Sequence, residues 1–449
     1  MTTRRGFLLA AAAAVGSLRG GRAPAALADT TVAAGAEWPM PAHDLGATRH
    51  GTPVNVVAVR WRRSMRGGVA SATAIVDHHV VAASVGGIVG SYRLVDGKPR
   101  WQRDLGTARY GSGKGTRHLG FFGGVAVADR RAFVAAERVH ALDVVTGRTV
   151  WMAEPLRTST SDDYFWGPPT VASGLVLVGS GSGAELPTAR GRLSAYSIRD
   201  GRLVWSTPMV PLGANGGGVI APVTVDTAAG EVYVATGAPY SAVPGANPGT
   251  CSLVVLSLET GAVLWSDQVY AGNTTGFDFN SAPVIVGPLL VASNKDGVYA
   301  WDRLARRRLW HRRLTASIPR GAHGAGPTSG PEGGPVATDG TRVFVLSNDA
   351  ASNGCVAAAL SPASGHVLWR RALPAQSYAA PGLAGERLCV PGVDGTLRFL
   401  DAANGSVAAA VALGQPSSAP PSLAERVAVV GTGAAPFIPG NSLVCVGST

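Results

Sequence analysis

One phrase recurs along this chain and limits what it can become. An apolar strand runs into a turn, a glycine follows, and a tryptophan stands four residues after that glycine. It reads Tyr92-Arg-Leu-Val-Asp-Gly97-Lys-Pro-Arg-Trp101, then Ala141-Leu-Asp-Val-Val-Thr-Gly147-Arg-Thr-Val-Trp151. Copies at 195–205, 255–265, 301–310 and 359–369 end in Trp205, Trp265, Trp310 and Trp369. A degenerate copy passes Gly405 and ends in Ala409, and Trp61 stands alone near the start. The steps between these eight positions are 40, 50, 54, 60, 45, 59 and 40 residues. Periods of that length with several strands per unit predict a β-propeller.

Each unit holds a strand of the Gly-x-Val-x-Val kind, as in Gly174-Leu-Val-Leu-Val, then the strand entering the glycine turn, then the tryptophan strand. Alternating or wholly apolar strands suit blades buried between neighbours. The tryptophan is large enough to dock one blade on the next. The count predicts eight four-stranded blades in an all-β fold. The C-terminal stretch 422–446 holds strands but no following tryptophan, and Trp61 can supply the missing outer strand. Joining both ends in one blade closes the ring and removes an exposed edge.

Composition agrees. The 60 Gly and 30 Pro in 449 residues make one residue in five, against roughly 12% on average. Both are poor helix formers. With 46% hydrophobic and 15% charged residues, disorder is excluded. Four Cys cannot make a disulfide scaffold and show no metal-binding spacing. One disulfide remains possible in an oxidising compartment, with its pairing open.

Residues 1–28 read as an address. Thr3-Arg4-Arg5-Gly6-Phe7-Leu8 fits a twin-arginine export signal, and Ala26-Leu27-Ala28 fits the cleavage site. The apolar run 7–18 is shorter than the roughly 20 residues of a membrane span. The expectation is an exported protein with no membrane span, and one propeller domain over 29–449. Removing Arg4, Arg5, Arg19 and Arg22 takes the charge from +11 to +7. The only basic clusters, Arg306-Arg307-Arg308 and Arg312-Arg313, read as a solvated face, and nucleic acid is not an expected partner.

Two local signals lead nowhere. Tyr110-Gly-Ser-Gly-Lys114-Gly-Thr116 mimics a phosphate loop, but Gly115 breaks the Lys-Ser/Thr pairing and no helix pattern follows. Asp77-His78-His79 reads as a strand turn, because adjacent side chains on a strand point to opposite faces.

The repeat, together with Trp38-Pro-Met-Pro-Ala-His-Asp-Leu-Gly-Ala-Thr-Arg-His50, resembles the pyrroloquinoline quinone (PQQ) dehydrogenases, nearest to their polyvinyl-alcohol dehydrogenase branch. The resemblance covers essentially the whole chain after residue 28. It implies PQQ and Ca²⁺ on the axis of an eight-bladed propeller. With no Cys-x-x-Cys-His, no haem is expected. It further implies that Gly183 and Ala184 lie against the cofactor and that Glu185 binds calcium. Carboxylate oxygen is the donor Ca²⁺ prefers. In Gly276-Phe277-Asp278-Phe279-Asn280, Asp278 matches the general base that also touches the metal. In Asn294-Lys295-Asp296-Gly297, Lys295 matches the cation on the quinone oxygens.

The chain also departs from that pattern. Ala238 follows Thr236-Gly237 where the family has a second calcium ligand. Ile220 stands where an indole floors the quinone, and Gly333 where a second family tryptophan falls. Cofactor-carboxylate contacts expected near Ala70 and Phe121 are not evident, and Trp166 is the candidate replacement for the lost stacking surface. Two functions follow. One is an exported PQQ-dependent dehydrogenase that takes an alcohol substrate and passes electrons to a separate acceptor. The other is a non-catalytic propeller that binds a partner.

Overall fold

The structure is a computed structural model. It describes residues 37–54, 58–111, 116–155, 162–184, 186, 189–240, 247–270, 278–279, 281–315, 336–434 and 437–448. Residues 1–28, with the export reading, lie outside them.

Eight radial sheets form the ring expected from the repeat. Blade one is Ala74–Val76, His79–Ala83, Ile88–Arg93 and Pro99–Asp104, paired antiparallel in chain order. Blades two to seven repeat this at 126–152, 170–208, 224–268, 284–312, 337–373 and 382–412. Blade eight joins Ser422–Ala424, Val427–Gly431 and Ser442–Gly447 to Ala58–Ser64 from the other end of the chain. Trp61 faces Cys445 in that closing pair, as the ring-closure argument requires.

The innermost strand of each blade has only two or three residues. The ring is narrowest there, and small residues such as Ala74, Ala126 and Ala337 fit the taper. Several are left by reversals at positive φ without glycine, among them Asp77-His78 (48° and 58°) and Glu425-Arg426 (47° and 64°).

Further out the gap between blades widens, and the repeat tryptophan fills it. Trp101 donates from Nε1 to Val144 O at 3.0 Å, and its ring lies on Gly147 of blade two. A Cβ on Gly147 would sit 2.5 Å from that ring. Trp61, Trp151, Trp205, Trp310 and Trp369 each repeat both contacts with the next blade. Thus the glycine and the tryptophan of one copy do not serve each other: each glycine receives the preceding blade's indole. Burying such a side chain contributes about 2–3 kcal/mol.

Two irregular copies follow from this rule. At the fifth copy the glycine is replaced by Arg306, held at φ 51°, which donates to Leu264 O and pairs with Glu231. At the seventh, Ala409 faces blade eight, whose third and fourth strands come from opposite chain ends and form no hairpin there.

The basic clusters are exposed at Arg307, Arg308, Arg312 and Arg313, the solvated face expected from sequence, and several of these arginines also pair with neighbours. Arg312 donates to Gly365 O of the next blade, Arg308 pairs with Asp267, and Arg313 pairs with Asp296. Arg63, Arg103 and Arg371, each two residues after its tryptophan, make the same inter-blade bond to Gly97, Gly147 and Gly405. All four cysteines are buried and free. Residues 112–115 of the phosphate-loop mimic lie outside the described residues; a two-stranded ribbon, Ala108–Tyr110 with Arg117–Leu119, stands on either side of them, and no helix follows among the described residues.

Candidate functional site

The opening phrase at 38–52 runs round the inside of the ring as a plug. Trp38 exchanges backbone bonds with Ile75 of blade one, and Pro39 O accepts from Val127 of blade two. Leu45 O, Gly46 O, Thr48 O and Arg49 O then accept from Val225, Ile285, Thr338 and Leu383 of blades four to seven. Thr52 N donates to Leu423 O of blade eight. His43, Ala47 and Arg49 take positive φ to follow this path. Asp44 braces it, accepting from the Thr48 amide at 3.0 Å and from the Thr48 hydroxyl. These bonds and His43 hold its carboxyl below the usual range despite the opposing effect of burial.

Next to the plug lies an axial cavity of about 220 Å³. Pro41 and Arg49 of the plug line it, with Ala70, Phe122, Trp166, Ile220 and Tyr378 among the residues around it. Ile220 and Trp166, the lost floor and its candidate replacement, therefore share one wall. Of the two positions near which cofactor-carboxylate contacts were expected, Ala70 lines the cavity and Phe121 is represented there by its neighbour Phe122, and neither Ala70 nor Phe122 has a polar side chain to supply one. Arg49 is 2% exposed and brings a cation to the cavity from the plug. Sequence reasoning missed it: the phrase containing it was quoted, but nothing local says that residue 49 reaches the axis.

First and second strands of a blade are antiparallel, so residues before the first and after the second share one end of the ring. The described candidates all fall there. Gly183 and Ala184 follow the strand Leu175–Ser182. Asp278 precedes the strand Val284–Val286 of blade five. Lys295 sits in the hairpin between Leu289–Asn294 and Gly297–Asp302 of the same blade. Glu185 and Gly333 lie outside the described residues.

The Gly183-Ala184 turn is tied down by Asp162, a second residue that sequence reading passed over. Its buried carboxylate accepts from Ser182 Oγ at 2.5 Å and Ala184 N at 2.7 Å, and its other oxygen has no partner. The Tyr240 hydroxyl accepts from Ser182 N at 3.0 Å, and Trp166 Nε1 donates to Ser182 O at 2.9 Å. Gly181 and Gly218 crowd the Tyr240 hydroxyl, and Gly183 crowds the Tyr110 ring so closely that a Cβ there would lie 2.3 Å from it. Asp278 Oδ1 accepts from Ala238 N at 2.6 Å. The position that lost its calcium ligand thus contributes an amide N–H to the candidate base. Cys251 stands near it, its thiol pushed well up by burial and by the Asp278 charge.

These residues fit the two implied groups unequally. Trp166 offers an aromatic surface, Arg49 a buried cation and the glycines close backbone approach, which suit a flat anionic quinone. For calcium, Ala238 has no side-chain oxygen and one Asp278 oxygen is engaged by an amide. No three His, Cys, Asp or Glu side chains come together among the described residues.

Comparison with known proteins agrees with the architecture. A family of PQQ-repeat proteins, described as outer membrane protein assembly factor BamB, matches residues 86–329 and 298–444. The BamB protein of Bordetella pertussis is 24% identical over 388 residues, 84% of this chain and 85% of that one. The BamB protein of Moranella endobia is 26% identical over 52% of this chain, and the match spans only 55% of its length. A polyvinylalcohol dehydrogenase of Sphingopyxis is 26% identical over 47% of this chain and 38% of its own. The crystal structure of quinohemoprotein alcohol dehydrogenase from Comamonas testosteroni superposes with a TM-score of 0.73 over 92% of this chain and 81% of that one, at 17% identity. No helix among the described residues is long and apolar enough to cross a membrane. With its eight blades and a family match running from residue 86 to 444, the chain belongs to the PQQ-repeat β-propeller family described as outer membrane protein assembly factor BamB.

Proposed function

We propose that the chain is an exported dehydrogenase that oxidises an alcohol using PQQ bound at the axial end of the ring. The observation that carries this reading is the placing of Asp278, Lys295 and the Gly183-Ala184 turn at one end of the ring, the end that holds the axial cavity. PQQ, when bound, would supply the hydride acceptor. Asp278 would take the hydroxyl proton of the substrate on the carboxylate oxygen that Ala238 leaves open. Lys295 would stabilise negative charge on the cofactor, and Trp166 would give it a flat wall. The described residues do not build a calcium site, so no step runs through calcium. Electrons would pass to a separate acceptor, and export would depend on the twin-arginine signal in 1–28.

The second reading, a non-catalytic binding propeller, draws support from Ile220 and Ala238 and from the matches to BamB proteins. One experiment separates the two. The mature protein is incubated with PQQ, with and without Ca²⁺, and scanned for bound-quinone absorbance and alcohol-dependent dye reduction. The dehydrogenase reading expects both signals. Their absence from folded protein leaves the binding propeller.

A further inference from the structure

The axial cavity contains a cation whose donors the fold leaves mostly unused. Arg49 is almost wholly buried, yet the described residues give its guanidinium one hydrogen bond, from Nη1 to Pro41 O at 3.1 Å. Its Nε is buried without a partner. A desolvated charge left in this state is costly unless something pairs with it. Asp44, the acid that acts on it most, is already engaged by Thr48 and His43. Burial lowers Arg49 to about 10, so it stays charged at neutral pH.

The surroundings narrow the class of ligand. Trp166 and Phe122 bring aromatic rings to the cavity, with ring centroids 5.1 Å apart, and Ile220 and four prolines add apolar wall. Among the described residues, Ser71, Ser418 and Tyr378 are the polar side chains there besides Arg49, and none of those lining it is acidic. A volume of about 220 Å³ is the share of roughly seven waters at ~30 Å³ each. It falls below the roughly 300 Å³ at which drug-sized pockets begin, so it suits a small ligand or one edge of a larger one. An arginine pairs with a carboxylate through two parallel bonds, which would use the idle donors.

We propose that this axial cavity is a carboxylate-binding site for a small planar acid, with Arg49 pairing the carboxylate and the packed Trp166–Phe122 pair giving one aromatic wall against its flat body. The proposal does not depend on dehydrogenase activity. The carboxylate could belong to a free aromatic acid or to one edge of a larger quinone reaching in, and the arms of the test tell these apart.

The full mature chain is titrated by calorimetry with benzoate, with benzyl alcohol as the neutral match, and with PQQ. Benzoate should bind one to one and benzyl alcohol at least tenfold more weakly. Arg49→Met should weaken benzoate at least thirtyfold, and Arg49→Lys should retain part of the binding. Ile220→Trp should fill the cavity and block benzoate while leaving the charge in place. Binding of PQQ but not benzoate, with the same loss in Arg49→Met, assigns the carboxylate to the larger ligand and supports the site. Asp278→Asn should leave benzoate affinity unchanged, which separates this proposal from the fate of the dehydrogenase reading. If Arg49→Met does not fold, Ile220→Trp and the benzoate–benzyl alcohol difference still decide. The proposal is overturned if neither acid binds folded protein, if benzyl alcohol binds as well as benzoate, or if folded Arg49→Met and Ile220→Trp bind like the parent.

Discussion

Asp278 receives, on Oδ1, the backbone N–H of Ala238, the residue that stands where a calcium ligand was expected. The bond joins the loop before blade five to the loop after the second strand of blade four. It engages one carboxylate oxygen, and in the proposed dehydrogenase the other would act on substrate.

Asp278→Asn keeps an oxygen that can accept from Ala238, so the fold should hold and the melting temperature should barely move. The proton acceptor is lost, and dye-coupled alcohol oxidation should fall by roughly 10²–10⁴. Asp278→Ala should in addition cost about 1–3 kcal/mol by orphaning the amide. Equal turnover in parent and Asp278→Asn would remove this residue from the chemistry.

Gly147 sits at φ 68° directly against the Trp101 ring. Gly147→Ala combines a left-handed alanine with a Cβ inside contact distance, and should lose about 3 kcal/mol in urea denaturation. Because the two residues touch, pairing it with Trp101→Ala should cost less than the sum of the single losses.

Ala409→Trp restores the repeat on paper, but blade eight has no hairpin glycine to receive the ring. It should bring no gain in melting temperature. Trp101→Ala, at a position 7% exposed, should cost about 3–5 kcal/mol. A clear rise in stability from Ala409→Trp would refute the docking rule.

His140 packs edge-on against Phe121, and burial, helped by Arg138, lowers its pKa from 6.5 to about 4. The unfolded chain therefore binds the proton more readily between those values. The neutral ring's contribution is complete above pH 6.5 and fades as pH falls toward 4. At most roughly 3 kcal/mol is at stake. Denaturation midpoints at pH 7.5 and pH 5 should differ less in His140→Gln than in the parent.

The architecture was readable from residue order. Five tryptophans four residues after a glycine, a sixth at Trp310 after Arg306, and Trp61 ahead of them predict blade number and ring closure, and the structure bears out both. Innermost strands such as Ala337–Thr338 were not readable, since two residues carry no period. The direction of docking was hidden as well, because each Gly-x-x-x-Trp phrase joins residues that serve different blade boundaries. At the candidate site, Gly183, Ala184, Asp278 and Lys295 were found by motif, whereas Arg49 and Asp162 were not. Arg49 acts from a plug far from the other site loops in sequence, and Asp162 braces Ser182 and Ala184 from twenty residues away.

Local chemistry alone determined the strands, the turns and the number of blades, because hydrophobic alternation, positive-φ glycines and bulky anchors act over a few residues. Only the tertiary structure decided which indole meets which glycine, which arginines pin neighbouring blades and which cation faces the axis. Those outcomes depend on pairing residues such as Trp61 and Cys445, or setting Arg49 and Trp166 on one cavity, around a closed ring, and no sequence interval encodes that distance.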